Sequence, residues 1–305
     1  MNKPRRAPRR QVDGVLLLDK PTGLSSNTAL QVARRLFNAE KAGHTGTLDP
    51  LATGLLPLCF GEATKFAGEL LDADKAYRAT LRLGVTTDSA DAEGQVLLTR
   101  PVEATASDFE AALPRFRGEI EQIPPMYSAL KRDGRPLYEY ARQGVELERK
   151  ARRVAIHELS MLSFAGDEVV IDVACSKGTY IRTLAADIGE QLGCGAHLTA
   201  LRRTRIGKLG VDAAVTLEQL EGLVPEQRDA CLAPADALVA DLPRADLGAD
   251  EVACILHGQA VRWNAEGGER WRLYGDQRFL GIAHLTADGW LQPKRLLAAN
   301  FTAGS

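Results

Sequence analysis

Asp49 is the residue of this chain whose type and surroundings are best suited to chemistry. It lies in the segment GHTGTLDPLATG, residues 43–54, where leucines on both sides carry the loop toward apolar surface. A carboxylate withdrawn from water is costly unless a cation or hydrogen bonds hold it, and catalytic aspartates have such surroundings. A structural interpretation fits the same residues, because Asp49 could cap a helix that begins at Pro50. The loop alone leaves both interpretations open.

A second group of carboxylates suggests a different chemistry. Aspartates two or three residues apart could bind Mg²⁺ for metal-dependent phosphoryl transfer, namely Asp72 with Asp74 and Asp88 with Asp91. The same spacing is common in solvated turns, and residues 88–94 have the composition of a loop. The five cysteines are scattered and the five histidines isolated. We therefore expect no disulfide framework, no metal site and a reducing cytoplasm.

The composition is that of a soluble globular protein. The chain has 305 residues, 45% hydrophobic and 26% charged, and no apolar run of the length that crosses a membrane. A net charge of −2 taken alone argues against nucleic acid, but residues 131–153 hold eight Lys/Arg against four Asp/Glu. Residues 202–208 hold four Lys/Arg and no acid, and five of the first ten residues are basic. This asymmetry permits RNA binding without establishing it.

Hydrophobic periodicity predicts the elements that position these residues. Ser25 or Ser26 caps a helix that runs to about residue 40. Ser107 and Glu110 form a capping box before a short helix. The remaining elements are strands over residues 77–83 and 169–175 and a helix over residues 180–192 that ends before a glycine. Because strands and helices mix without a β-α-β rhythm, we expect an α+β fold with a largely antiparallel sheet.

The pattern changes after about residue 250. Short β segments at residues 270–274, 278–285 and 290–291 are separated by turns that contain Gly and Asp. The acidic, proline-containing stretch over residues 225–250 reads as a connector. The sequence therefore predicts a second, small β domain at this end of the chain.

Several further motifs, in order along the chain, resemble those of the TruB family of tRNA pseudouridine synthases. Besides the Asp49 loop they are GVLLLDKPTG at residues 14–23, GEATK at 61–65, DKAYR at 74–78, PPMYSALK at 124–131, SKGTYIRTL at 176–184 and LTALRR at 198–203. Each motif alone is weak, but chance does not give so many ordered matches.

The resemblance implies a fold and a domain organisation. The expected fold is α+β, with a mixed, largely antiparallel central sheet flanked by helices and a small C-terminal β-barrel of the PUA type. A basic disordered arm would occupy residues 1–12, the catalytic domain residues 13–245 and the PUA-like domain residues 250–305. An insertion over about residues 124–153 would clamp the T-arm of tRNA by its shape and backbone.

The resemblance also implies an activity, namely isomerisation of uridine to pseudouridine in the T-loop (position 55) of tRNA. The base would be flipped out, its glycosidic bond cleaved with the help of an aspartate, the base rotated, and C5 joined to the ribose. The reaction involves no redox change and no group donor, so we expect no cofactor and no metal. We further expect tRNA as partner, no membrane, no protein partner, and a cytoplasmic monomer.

The same resemblance assigns roles to individual residues. Asp49 would be the nucleophile, Arg182 the cation that pairs with it, and Tyr77 the aromatic ring that stacks on the target base. The residues expected to bind substrate besides Tyr77 are Tyr180 and Leu201 in the uracil pocket, His44 at the flipped nucleotides, and Lys20 and Lys65 at phosphates. A structural role for Lys20 before Pro21, and core packing for Tyr77, Tyr180 and Leu201, are the alternatives.

Three other functions fit parts of the sequence. A non-catalytic tRNA-folding (chaperone) protein would use the same RNA clamp. A metal-dependent enzyme would use the paired aspartates described above. A nucleoside-cleaving glycosylase would share the glycosidic-bond step but release free base. Because the motifs of Asp49, Tyr77 and Arg182 occur together in this chain, the sequence favours the synthase.

Overall fold

The computed structural model describes residues 8–298. The strands are β1 Gly14–Lys20, β2 Ala42–His44, β3 Thr53–Phe60, β4 Lys75–Leu83, β5 Val85–Thr87, β6 Val96–Thr99, β7 Gly118–Gln122, β8 Lys131–Arg132, β9 Arg135–Pro136, β10 Arg152–Ala165, β11 Glu168–Cys175, β12 Ala196–Ile206, β13 Leu209–Gly210, β14 Val215–Thr216, β15 Leu232–Ala233, β16 Arg244–Asp246, β17 Val261–Arg262, β18 Arg270–Gly275, β19 Arg278–Leu285 and β20 Trp290–Leu296. The α-helices are α1 Ser26–Leu36, α2 Ala106–Ala112, α3 Leu137–Ala141, α4 Ile181–Gln191, α5 Leu217–Gly222, α6 Pro225–Asp229 and α7 Ala249–Leu256. Four 3₁₀ helices, Gly61–Leu71, Leu113–Phe116, Val211–Ala213 and Ala235–Val239, complete the elements of this part of the chain.

The chain divides into two compact units. One comprises the described residues up to 48, residues 55–71, and the described residues from 207 onward. The other comprises residues 49–54 and 72–206. Asp49 with residues 50–54, and the candidate residues on β4, α4 and β12, belong to the second unit.

An antiparallel sheet forms the centre of the second unit. Its strand order is β12-β4-β11-β10-β7, and the first two residues of β3 pair parallel with residues 202–203 of β12. Along β4 the side chains of Ala79, Leu81 and Leu83 are buried while Arg78 and Arg82 are exposed, as the alternation predicts. These residues pack on the buried face of α4, and together they form the main hydrophobic core of the unit.

The first unit contains two groups of paired strands. In one, β1 lies between β3 and a short parallel β14, with β2 paired antiparallel to β3. The other is the five-stranded C-terminal sheet with order β16-β18-β19-β20-β17. This sheet has its own core around Ala245, Ile255, Trp271 and Leu273. The α+β fold and the small C-terminal β domain predicted from the sequence are therefore confirmed.

Some local predictions were wrong. Helix α1 ends at Leu36 rather than near residue 40, because Asn38 has a positive φ of 49° and turns the chain. Helix α2 is capped by Thr105 with Asp108, two residues before the predicted Ser107 box, and this start places Phe109 in the core. The stretch over residues 225–250, predicted as a connector, contains α6, β15 and β16.

The predicted N-terminal arm lies partly outside the described residues. Within them, Arg10 forms two hydrogen bonds to the carboxylate of Asp229, at 2.5 and 2.6 Å, and Val12 is buried. The last residues of that arm are therefore ordered, contrary to the prediction. No helix within residues 8–298 is long and apolar enough to cross a membrane.

Gly189 shows how closely α4 approaches the chain that follows it. A Cβ added at this buried helical position would lie 2.2 Å from the backbone nitrogen of Ala196. We expect Gly189→Ala to lower the free energy of unfolding by about 1–3 kcal/mol through overpacking, although alanine favours helices. Urea unfolding measures this change. The control is Gly222→Ala at the exposed end of α5, where a Cβ meets no atom within 4 Å; an equal loss in both variants would contradict the prediction.

Candidate active site

The Asp49 segment forms a turn, not a helix. The backbone N–H of Ala52 donates to the carbonyl of Asp49 at 3.1 Å, and β3 begins at Thr53. The helix-cap interpretation is therefore wrong: the glycine-flanked segment leads directly into a buried strand. Just before the turn, the buried hydroxyl of Ser26 accepts a hydrogen bond from the N–H of Leu48 at 2.7 Å and lies 3.0 Å from its carbonyl oxygen. The chain is thus held firmly at the residue preceding Asp49.

Arg182 is the buried cation of this site. It is the second residue of α4, and only 6% of its side chain is exposed. Its Nη2 lies 3.1 Å from Oδ2 of Asp49, and its Nη1 lies 3.6 Å from Oδ2 of Asp91. Nη2 also donates to the carbonyl of Tyr127 at 2.6 Å, and Nη1 to that of Ser89 at 3.1 Å. The planar fork of an arginine suits this arrangement, since it presents several donors in fixed directions.

Asp91 belongs to this site, although the sequence analysis considered it only as a possible Mg²⁺ ligand. Its side chain is 5% exposed, against 42% for Asp49, so the two carboxylates that share Arg182 differ in their access to solvent. Oδ1 of Asp91 accepts hydrogen bonds from the Ser89 hydroxyl at 2.5 Å and from the N–H of Glu93 at 3.1 Å. A carboxylate held in this way is a fixed counter-charge that keeps the guanidinium in place. The sequence of this loop shows no hydrophobic periodicity from which the burial of Asp91 could be predicted.

The other aspartates considered as Mg²⁺ ligands each have a partner of their own. Asp72 pairs with Lys177 at 2.7 Å, Asp74 lies 3.2 Å from Nε2 of His157, and Asp88 accepts the N–H of Gln95. Within residues 8–298, no group of three or more His, Cys, Asp or Glu side chains is arranged to hold a metal ion. The geometry therefore gives the metal-dependent hypothesis no support.

Tyr77 is half-buried on β4, in the same unit as Asp49 and Arg182. Burial raises the pKa of its phenol above the usual value, with Arg203 opposing that rise and Asp49 adding to it. The phenol thus stays neutral near pH 7. Leu201, partly buried on the neighbouring strand β12, packs against the same core as Tyr77.

Tyr180 immediately precedes α4 and is half-buried. The buried side-chain amide of Gln122 forms two hydrogen bonds to the backbone of Tyr180. Its oxygen accepts from the Tyr180 N–H at 3.0 Å, and its nitrogen donates to the Tyr180 carbonyl at 3.3 Å. This clamp, which the sequence did not reveal, fixes the start of the helix that carries Arg182. Burial raises the pKa of the Tyr180 phenol, so this ring is also neutral.

The remaining three candidates lie in the first unit. Lys20 is fully buried, and its Nζ donates to the carbonyls of Pro21 at 2.8 Å and Leu24 at 2.6 Å. These contacts match the structural alternative, in which the lysine closes the turn after β1. Lys65 pairs with Glu62 at 2.6 Å and donates to the carbonyl of Leu296 at 3.0 Å. His44 is half-buried at the end of β2, opposite Leu58. The substrate roles of these residues stay predictions.

The unequal burial of the two aspartates predicts unequal effects on stability. Asp91→Asn leaves Arg182 without its buried counter-charge, so we expect the free energy of unfolding to fall by about 2–3 kcal/mol. Asp49→Asn removes a carboxylate that solvent already screens, and we expect a loss below about 1 kcal/mol. Urea unfolding of both variants tests this order, and a larger loss in the Asp49 variant would contradict it.

Models of known protein families match most of this chain. The family model described as "TruB family pseudouridylate synthase (N terminal domain)" matches residues 34–181. Two C-terminal models follow, "tRNA pseudouridylate synthase B C-terminal domain" over residues 182–240 and "Pseudouridine synthase II TruB, C-terminal" over residues 243–297.

Curated relatives and a solved structure extend over nearly the whole chain. A tRNA pseudouridine synthase B of Aromatoleum aromaticum is 60% identical over 97% of this chain and 96% of its own. One from Azoarcus sp. is 59% identical over 96% of this chain and 98% of its own. A chain from the crystal structure of a Cbf5-Nop10-Gar1 complex superposes with a TM-score of 0.72 at 27% identity, covering 93% of this chain and 84% of that one. These matches confirm the resemblance found in the motifs: the chain belongs to the TruB family of pseudouridylate synthases.

Proposed function

We propose that this protein isomerises uridine to pseudouridine in the T-loop, at position 55, of tRNA. The observation that carries the proposal is the pairing of Asp49 with the buried Arg182 in a member of this family. Relatives of about 60% identity that match nearly end to end are named tRNA pseudouridine synthase B, which supports tRNA as the substrate.

The reaction breaks the bond from N1 to C1′, rotates the uracil and forms a bond from C5 to C1′. N1 gains a proton and C5 loses one, so atoms and electrons balance without a redox partner, and no cofactor is required. Asp49 is the nucleophile, attacking either the ribose or the uracil ring, and Arg182 keeps the carboxylate ionised when the base excludes water. The exposed part of the Asp49 side chain is the part that substrate can reach.

Aromatic and apolar side chains hold the base while it is detached. Tyr77 stacks on the flipped uracil, which contributes about 1–3 kcal/mol without reading the sequence. Tyr180 and Leu201 line the pocket around it. His44 meets the flipped nucleotides and Lys65 a phosphate, whereas Lys20, which the family motif also assigns to phosphate, is buried and contributes by closing the turn after β1. Extrusion of the base costs a few kcal/mol, which contacts of this kind offset.

The insertion over residues 124–153 provides the surface for the T-arm. It carries the hairpin of β8 and β9 and the short helix α3. Two cation–π contacts stiffen it, with Arg135 4.9 Å from the ring centre of Tyr140 and Arg142 5.3 Å from that of Tyr138. Exposed basic residues on this segment suit the recognition of RNA shape and phosphate.

The predicted domain boundaries and cellular setting belong to the same proposal. Residues 13–245 act as the catalytic domain, and residues 250–305 as a PUA-like domain that adds an RNA contact. The protein works as a cytoplasmic monomer on tRNA without a protein partner. Sedimentation of the protein with and without tRNA measures the oligomeric state.

The role of Asp49 as the nucleophile can be tested directly. Asp49→Asn should abolish pseudouridine formation in an unmodified tRNA transcript while tRNA binding persists, because the amide is not a nucleophile and the fold keeps its other contacts. Carbodiimide adduct mapping in the presence of EDTA locates the product, which has the same mass as uridine. The matched control is Asp167→Asn, which removes a surface carboxylate that also pairs with an arginine, Arg82, at 3.1 Å.

Each alternative function has its own outcome in this experiment. Full activity of Asp49→Asn would contradict the assignment of the nucleophile. Tight binding of a transcript that the wild-type protein leaves unmodified would favour the tRNA-folding protein. Release of free uracil would favour the glycosylase, and loss of activity in EDTA would favour the metal-dependent enzyme.

The contribution of the insertion to tRNA binding can be tested through its exposed lysines. Lys131 and Lys150 are exposed there, and replacing both by alanine should weaken tRNA binding about tenfold and lower its salt dependence by about two counter-ions, with kcat unchanged. Affinity measured across a salt series tests this. The control Arg82→Ala/Arg115→Ala removes two exposed cations outside the insertion; an equal change of salt dependence in both variants would argue against the clamp.

A further inference from the structure

Gln122 is a buried polar residue at the base of the insertion. It is the last residue of β7 and is only 2% exposed. Its backbone pairs with Arg152, the first residue of β10, so the strands that lead into and out of the insertion meet here. Its side-chain amide forms hydrogen bonds to Tyr180, 58 residues further along the chain. A buried amide needs such partners, and both of them are backbone groups of one residue.

The contact between Gln122 and Tyr180 is made at two points. A side-chain amide has an acceptor oxygen beside a donor nitrogen, so it can bind the N–H and the carbonyl of the same residue at once. Oε1 of Gln122 accepts the N–H of Tyr180 at 3.0 Å, and Nε2 donates to its carbonyl at 3.3 Å. That carbonyl also accepts the N–H of Leu184 at 3.0 Å, which begins the hydrogen bonding of α4. Gln122 therefore restrains the residue from which the helix starts.

Helix α4 differs from other helices of the chain in how its start is held. Its N-cap residue is Tyr180, whose side chain makes no capping hydrogen bond. By contrast, the hydroxyls of Ser25, Thr105 and Thr216 cap α1, α2 and α5. A helix without a local cap depends on other groups to define where it begins. For α4, the side chain of Gln122 is such a group.

The position of the start of α4 determines what Arg182 can reach. Arg182 follows Tyr180 by two residues, and its Nη2 lies 3.1 Å from Oδ2 of Asp49. The same nitrogen donates to the carbonyl of Tyr127 at 2.6 Å. Both contacts depend on short distances, and a misplacement of about 1 Å in a site of this kind can cost about a hundredfold in rate. A shift of α4 by that distance would separate the guanidinium from the nucleophile.

We propose that Gln122 is a positioning residue for the isomerisation, and that it acts by holding the start of α4 where Arg182 pairs with Asp49. The inference rests on the proposed function, because it concerns the cation that serves the nucleophile. The side-chain amide of Gln122 is directed to the backbone of Tyr180. Its effect on the reaction therefore passes through the helix.

A double-mutant cycle tests whether Gln122 acts through Arg182. Gln122→Met keeps the length of the side chain but neither hydrogen bond, and it should lower kcat about tenfold or more. KM for tRNA should stay within about twofold, because the exposed RNA-binding residues are unchanged. In the Arg182→Lys background, which lacks the guanidinium, the same change should cost less than about twofold. Single-turnover rates with enzyme in excess keep slow variants measurable. Equal fold losses in both backgrounds would overturn the proposal.

Three further variants separate positioning from folding. Gln122→Glu keeps an acceptor for the N–H of Tyr180, so we expect part of the lost rate to return; if the methionine variant does not fold, this variant carries the cycle. Gln191→Met removes an amide that accepts from Arg115 at 2.8 Å at the other end of α4, and kcat should stay within about twofold. Val169→Ala lowers stability from the core of the same unit. An equal fall of kcat in Val169→Ala would overturn the proposal.

Nuclear magnetic resonance supplies a readout that does not depend on activity. In protein labelled with ¹⁵N-arginine, the side-chain Nε–H signal of Arg182 is assignable as the one missing from Arg182→Lys. This signal should shift in Gln122→Met and stay in place in Gln191→Met, and an unshifted signal in Gln122→Met would overturn the proposal. Absence of pseudouridine formation by the wild-type protein would instead overturn the proposed function, with the Arg182 signal still reporting on the position of α4.

Discussion

One buried guanidinium organises the candidate site. Arg182 is surrounded by two carboxylates and two backbone carbonyls, so its donors have partners at fixed positions. An arginine removed from water tolerates few other arrangements, because an unmet donor or an unbalanced charge in the interior is costly. The turn at Asp49, the loop at Asp91 and the chain at Tyr127 are therefore constrained together by one side chain. Each of these segments lacks regular secondary structure that could hold it independently.

The electrostatics of the site suit a neutral reactant. Two carboxylates, Asp49 and Asp91, occur in the same unit as two buried arginines, Arg182 and Arg203. Uracil brings no charge of its own to this set. The phosphates of RNA require cations that remain in solvent, and the exposed basic residues of the insertion are our proposed contact for them. The near-neutral composition of the whole chain thus conceals two separate uses of positive charge.

The elements that carry the site could be predicted because their hydrophobic periodicity is visible in the sequence alone. Alternation defined β4, and an amphipathic repeat defined α4, so that Tyr77 and Arg182 were correctly placed at a strand and at a helix start. Asp91 could not be assigned, since its partner is far away in sequence and its loop has no repeat. Arg203 was counted only within the basic stretch over residues 202–208, and its burial depends on strand pairing that the sequence does not show. The same limit applies to Gln122.

The hydrogen bond from Arg182 to the carbonyl of Tyr127 has a consequence for selectivity. Tyr127 lies at the start of the insertion that we propose as the RNA contact, so a displacement of that segment would change the environment of the guanidinium. RNA binding at the insertion and the pairing of Arg182 with Asp49 would then be thermodynamically linked. Such linkage is reciprocal. An RNA that presents a uridine but does not bind the insertion would then reach a site in which the surroundings of Arg182 differ. Discrimination between RNAs would thus extend into the rate of the chemical step.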